Sequence, residues 1–259
     1  MAPSRSLTRD VRKRDIHFDS PVSLQDRTVR GLAAVVTDLD RTLLPPSGRT
    51  TTHARRALRG IRALGLKALL VSGRTYADLT LYAPKFGTWD GLVAENGAVV
   101  EAPIGAPPFV LGRRRASVVR ARMLADPRLH PELGEVIASV PRRERRALRD
   151  ALVGLPVDLV PNIDRLMVLP AGVSKRTGVH TALRRLGMPG AGYAAIGDAE
   201  NDRELLERAE YSAAVANAIP AVRAHVDYVC RGSFDRGVLE FVDGPLRDRV
   251  RAEPSARKV

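Results

Sequence analysis

Leu32 to Thr37 reads Leu-Ala-Ala-Val-Val-Thr, a continuous apolar run that stops abruptly at Asp38-Leu39-Asp40. An unbroken apolar run of this length is the signature of a strand buried on both faces, and such strands belong to parallel sheets covered by helices. Two carboxylates at its end have no packing reason to be there. A second run, Lys67 to Val71, ends in Ser72-Gly73-Arg74, and a third, Ala191 to Ile196, ends in Gly197-Asp198. Between the first two lie a Pro-Gly-Ser loop (Pro45 to Gly48), Thr51 or Thr52 as a helix cap, and Ala54, Leu58, Ile61 and Leu64 at helical spacing before Gly65. Strand, helix and strand joined this tightly predict a right-handed parallel unit.

The pattern then changes and returns. Gly91 to Ala94 and Ala98 to Glu101 are short strand candidates around a tight turn at Glu95-Asn96-Gly97. Residues 101–170 carry a Pro-rich joint and then helix candidates at Ser117 to Leu124 and Arg142 to Val153. Strand candidates follow the same stretch at Glu135 to Val140, Val157 to Val160 and Leu166 to Leu169. After Ala171 a helix through Val179 to Leu186, the Ala191 strand, a helix from Asp202 and a strand at Ser212 to Val215 restore the alternation. The expected architecture is α/β: a doubly wound parallel sheet from residues 31–100 and 171–243, interrupted by a small α+β module at 101–170. Residues 1–30, basic and without apolar period, are expected to be a disordered tail, and 244–259 a C-terminal tail.

Charge is the feature most open to misreading. The 259 residues hold 42 Lys and Arg against 29 Asp and Glu, a net +13, which invites nucleic acid as a partner. The arginines are scattered over the whole chain and aromatics are only 4%, so neither a basic stripe nor a stacking platform for bases is evident. The run Arg142, Arg143, Arg145, Arg146, Arg149 lies opposite Ala147, Leu148, Ala151 and Leu152 on a helix and is expected to be a solvated face. One cysteine, Cys230, excludes an internal disulfide. No apolar stretch has the length of a membrane span or follows the basic start as a signal peptide would require, and a cytoplasmic setting is expected.

In an open parallel sheet, ligands bind beyond the carboxyl ends of the strands. Three such ends here are polar: Asp38 with Asp40, Ser72, and Asp198. Asp38 and Asp40 emerge on one side of an extended chain if Leu39 points away. Asp198 and Asp202 are four apart across a strand-to-helix junction, close enough to share one cation. Clustered carboxylates repel unless a hard cation neutralises them, and Mg2+ prefers oxygen ligands.

In their order, Asp38-Leu39-Asp40-Arg41-Thr42-Leu43, Ser72-Gly73-Arg74, Lys175 and Gly197-Asp198-Ala199-Glu200-Asn201-Asp202 resemble the four motifs of the haloacid dehalogenase (HAD) superfamily. The insertion between the second and third looks like a C2-type cap, as in the Cof-like phosphatases. Glu95-Asn96-Gly97-Ala98 and Ala214-Val215-Ala216-Asn217-Ala218 look similar to that subgroup too. The resemblance implies a Rossmann-like core and a phosphatase that hydrolyses a small phosphorylated metabolite, phosphoglycolate-like or sugar-phosphate-like, through an aspartyl-phosphate. It implies Asp38 as nucleophile and Asp40 as general acid and base. Ser72, Gly73, Arg74 and Lys175 would hold the phosphate. Mg2+ would be bound by Asp38, by the backbone carbonyl of Asp40 and by Asp198, with Asp202 nearby, while Thr42 and Asn201 support the site. Arg41 stands where the family usually has glycine, which alters the mouth of the site.

Two other readings stay open on the sequence. A phosphomutase of the same superfamily uses the same aspartates, and a nucleic-acid or protein-binding module can keep the fold without turnover. Intact Asp38 and Asp40 speak against the second. Asn96 reads as a turn residue, Arg74 as either a substrate ligand or a brace, and no histidine has metal-ligand spacing. The oligomeric state is not legible.

Overall fold

A computed structural model describes residues 31–162 and 164–252. The expected N-terminal tail at 1–30 and the last seven residues of the C-terminal one lie outside the described residues.

The first half of the chain forms β1 (Leu32–Asp38), α1 (Thr52–Ala63), β2 (Lys67–Val71), α2 (Tyr76–Tyr82), β3 (Gly91–Ala94), β4 (Val99–Glu101) and β5 (Phe109–Val110). Then come α3 (Arg113–Ala125), β6 (Glu132–Leu133), β7 (Ala138–Pro141), α4 (Arg145–Ala151), β8 (Val157–Asn162) and β9 (Arg165–Pro170). The chain returns through α5 (Lys175–Arg185), β10 (Gly192–Gly197), α6 (Arg203–Glu207), β11 (Tyr211–Ala214), α7 (Pro220–Arg223) and β12 (Tyr228–Val229). It closes with α8 (Phe234–Phe241) and α9 (Arg247–Ala252), joined by a π-helical stretch at Val242–Leu246.

Two sheets result. The large one has the order β12-β11-β10-β1-β2-β3-β4-β5, parallel from β12 to β3 and antiparallel at β4 and β5. The doubly wound core expected from the three apolar runs is present, with β1 at its centre, paired with β2 on one side and β10 on the other. Asp38 at the last register position of β1 lies opposite Val71 of β2, so the three polar strand ends fall side by side. Thr51 caps α1 by accepting the backbone N–H groups of His53 and Ala54, which fixes the helix start that the sequence left between two threonines.

The second sheet, β6-β7-β9-β8, is antiparallel and carries its own apolar cluster, with Val119 and Met123 of α3 and Leu148 of α4 packed on Val140 and Val168. This is the inserted module. Its boundary falls later than residue 101, because Glu101 is inside β4 and β5 still pairs with β4 in the large sheet. The core also runs past 243: the π-helical turn buries Leu246 completely and α9 continues to Ala252, so the first part of the expected C-terminal tail is helix. The proposed helix from Arg142 begins as a 3-10 turn, Arg142–Glu144, and becomes α-helical at Arg145. The buried carboxylate of Glu144 explains the delay, since it turns back to accept the backbone N–H of His130.

Candidate active site

The site is assembled at the carboxyl ends of β10, β1 and β2. Asp38, Asp198, Asp202 and Lys175 are all buried there, none more than 4% exposed. The Lys175 ammonium donates to Asp38 Oδ1 and to Asp202 Oδ1, both at 2.6 Å. Asp202 is fully committed: its other oxygen accepts the backbone N–H groups of Asp198 and Ala199 at 3.0 and 3.1 Å. It thereby ties the strand end that carries Asp198 to the lysine. Asp198 Oδ1 accepts a hydrogen bond from Thr42 Oγ1 at 3.1 Å, while its buried Oδ2 has no hydrogen-bond partner among the described residues.

Burial pushes the Asp38 carboxyl well above the usual carboxylate range, an effect that Lys175 opposes and that Asp202 and Asp198 reinforce. Burial and the neighbouring Asp202 push Asp198 up to about 6. Burial works against the charged Lys175, yet Asp202 and Asp38 outweigh it and raise the pKa of the ammonium. Three carboxylates face one buried ammonium and, 3.4 Å from Asp198 Oδ2, the half-exposed Arg41 guanidinium, which still leaves this centre with excess negative charge. Oxygen atoms of Asp38, Asp198 and Asp202 lie within 4.8 Å of one another. An all-oxygen set with one buried oxygen that accepts no hydrogen bond suits a hard divalent cation, so the residues present fit the Mg2+ that the sequence implied.

Asp40 stands apart. Its carboxylate is half exposed and paired with Arg74, whose Nε and Nη2 reach both its oxygens at 2.7 to 3.1 Å. The Arg74 guanidinium also lies over the Tyr82 ring at 4.2 Å. Ser72 sits behind this pair, accepting the Arg74 N–H at 3.1 Å and donating to Asp40 Oδ2 at 3.4 Å. Arg74 is thus a brace for Asp40 in this state. Ser72 supports the pair from beneath, while Gly73 reaches the wall of the cavity.

That cavity, about 360 Å3, opens above Asp38, Asp40 and Asp198. The core supplies Arg41, Arg74 and Asn201 to its wall, and the inserted module supplies Arg142 just after β7, Asn162 at the end of β8 and Met167 from within β9. Arg142 belongs to the run expected to be a solvated face. Leu148, Ala147 and Leu152 of that helix are indeed buried, but Arg142 precedes the α-helical part and is aimed by the 3-10 turn instead.

Glu95-Asn96-Gly97 is more than a turn. Glu95 is buried, and its carboxylate accepts the backbone N–H groups of Glu135, Val136 and Ile137 at 2.7 to 3.0 Å, clasping the inserted module to the core. Its own N–H donates to the Arg74 carbonyl at 2.8 Å. Asn96 accepts a hydrogen bond from Asn201 and lies against the Met167 sulfur, bridging core and module beside the cavity. Gly97, at φ 101°, lets this turn press on α5: a Cβ there would fall 1.9 Å from the Ser174 carbonyl oxygen. That contact seats the first turn of α5 and with it Lys175, which opens the helix behind the Ser174 capping box. The available sequence signal was the glycine after two polar residues at a strand end.

With this geometry in view, the comparisons with known proteins are informative. The sequence profile of the haloacid dehalogenase-like hydrolases matches residues 35–106 and 162–242. The chain is 30% identical to a phosphoglycolate phosphatase of Methanothrix thermoacetophila over 228 residues, covering 82% of this chain and 96% of that one. A phosphoglycolate phosphatase of Methanospirillum hungatei is 28% identical over 221 residues, covering 82% and 95%. Among solved structures, a Thermoplasma acidophilum protein superposes with a TM-score of 0.71 at 16% identity, covering 86% of this chain and 99% of that one. A haloacid dehalogenase-like hydrolase from B. subtilis gives 0.65 at 16%, covering 81% and 99%. Among the described residues no helix is long and apolar enough to cross a membrane.

Proposed function

The chain belongs to the haloacid dehalogenase-like hydrolases, and from that premise we propose that it is a Mg2+-dependent phosphatase whose substrate is a small phosphorylated metabolite with a second acid group. The observation that carries the reading is the buried cluster of Asp38, Asp198, Asp202 and Lys175, with one Asp198 oxygen that accepts no hydrogen bond at the floor of a cavity.

Asp38 is the nucleophile. One of its oxygens forms a bond to phosphorus as the ester oxygen leaves, giving an aspartyl-phosphate. Lys175 opposes the upward pull of burial on the Asp38 carboxyl and offers positive charge to the transferring oxygens. The leaving alkoxide takes a proton from Asp40, which reaches the cavity and is held in place by Arg74. Water then attacks the phosphorus of the aspartyl-phosphate, Asp40 takes a proton from that water, and phosphate departs with Asp38 restored. Asp38 and Asp198 would hold the cation together with the Asp40 backbone carbonyl, while Asp202 orients Asp198 and Lys175. When bound, the cation supplies neutralising charge for the carboxylates and the phosphoryl oxygens.

The substrate class rests on two supports. Relatives matched over 82% of the chain are named phosphoglycolate phosphatases, and residues 101–170, which contain the inserted module that acts as the cap, hold twelve arginines against eight acidic residues. Of the arginine run Arg142, Arg143, Arg145, Arg146 and Arg149, Arg142 lines the cavity, and no ion-pair partner is found for it among the described residues. A carboxylate on the substrate would meet this guanidinium opposite the nucleophile.

Phosphate release from phosphoglycolate, hexose monophosphates and nucleotides, with and without Mg2+, tests the reading directly. Asp38→Asn, nearly isosteric but without nucleophilic character, is expected to lose at least ~10^3-fold in kcat while keeping its circular-dichroism spectrum. Turnover near the wild-type rate in that variant rejects the mechanism.

A further inference from the structure

Arg41 occupies an unusual position. It follows Asp40 directly, and its φ of 62° lies in the left-handed region that disfavours any side chain beyond glycine. The backbone is fixed on both sides: its N–H donates to the Leu44 carbonyl at 2.9 Å, and its own carbonyl accepts Asn217 Nδ2 at 2.8 Å. From that fixed point the guanidinium reaches Asp198, with Nε 3.4 Å from Oδ2. This is the same oxygen that lacks a hydrogen bond. Lys175, the other cation of the site, is committed to Asp38 and Asp202. The Arg41 side chain is 43% exposed and forms part of the cavity wall, so leaving Asp198 would carry it into the cavity without breaking up a packed interior.

We propose that Arg41 is a tethered cation that competes with the divalent metal for Asp198 Oδ2, holding the site neutralised when metal is absent and giving way when metal binds. The proposal rests on the reading of Asp38 and Asp198 as the metal-binding pair. Two positive charges cannot share one carboxylate oxygen at contact distance without repulsion, so each arrival weakens the other. The metal affinity of this chain is therefore set partly by an arginine that is not a ligand. The left-handed backbone fits this role: a glycine would be relaxed at φ 62° but would leave Asp198 with no counter-charge on that side.

Calorimetric titration of Mg2+ and of Mn2+ into the wild-type protein, Arg41→Gly and Arg41→Lys, without substrate, tests this. Arg41→Gly should bind metal about fivefold more tightly, as expected for loss of a half-exposed ion pair. Arg41→Lys, which restores a tethered charge, should return the Kd toward the wild-type value. In metal-free Arg41→Gly the lost counter-charge and the relieved backbone act in opposite directions on the thermal midpoint, so the Kd is the discriminating readout: a merely structural arginine would leave it unmoved. Metal binding by the wild type with an unchanged Kd in Arg41→Gly overturns this proposal alone. Absence of metal binding by the wild type, with Asp198→Ala indistinguishable from it, overturns the reading of the metal site and the proposal together.

Discussion

The floor and the roof of the cavity are built by different means. On the floor, the buried groups come from the ends of adjacent strands and from the first turn of α5, and most of their polar atoms are spent on one another. On the roof, a four-stranded antiparallel sheet with a small apolar cluster offers Arg142 from a turn, Asn162 from a strand end and Met167 from the face of β9. The floor is an electrostatic unit in which no member can be removed alone. The roof is a set of separable contacts. Reaction chemistry needs the first kind of construction, because charges must be held where the transition state will use them, whereas substrate choice can be revised through the second.

That contrast can be broken most severely at Lys175. Replacing it with Met leaves Asp38 and Asp202 buried without a counter-ion, and the expected loss is about 3–5 kcal/mol of stability together with activity. Urea denaturation checks this; a loss under ~1 kcal/mol would mean that the floor is not a coupled unit. The roof predicts a smaller and different effect. Arg142→Gln should leave stability unchanged and raise KM for a substrate with a second acid group roughly tenfold, with kcat little altered. Equal losses in KM for a neutral sugar phosphate would show that Arg142 serves the phosphate itself.

The smallest effect concerns Cys230, buried directly after β12, where its backbone N–H donates to the Ala214 carbonyl of β11. Burial, reinforced by the charge of Glu240, pushes its thiol up to about 12. The folded protein then holds this proton more tightly than the unfolded chain does. The stability it contributes is present below the ordinary thiol range and declines as pH rises towards 12. At pH 8 a thiol-reactive disulfide should label the unfolded protein and spare the native one. Rapid labelling of the native protein would place the edge of the core among its loosely held parts.

Much of the floor was legible in the sequence, for a physical reason. A strand buried on both faces leaves an apolar run whose end is marked by the first polar residue, so β2 and β3 fall where their runs fall and Asp38, Ser72 and Asp198 could be placed at strand ends. The roof was less legible. Its edge strands β6 and β8 bury no residue, and α3 has no clean apolar face, so periodicity locates its elements without fixing their ends. Arg142 looked like its neighbours because its direction depends on a 3-10 turn, which Glu144 sets through a contact with His130 fourteen residues away. Glu95 was hidden for the same reason, since its three partners lie forty or more positions along the chain. The pairing of Asp40 with Arg74 likewise crosses 34 positions, so a brace could not be told from a substrate ligand in advance.

The Glu95 carboxylate gives the two halves of the molecule a latch. Three amides of one segment converge on a single buried charge, and each such bond is worth about 1.5–3 kcal/mol. Gly134 adjoins it so closely that a Cβ would fall 2.7 Å from a Glu95 oxygen, leaving no slack for a partial slip. Releasing one bond leaves part of a buried charge unsatisfied, so the three bonds support one another. Because the Glu95 N–H donates to the Arg74 carbonyl, the latch is joined through the backbone to the residue that braces Asp40.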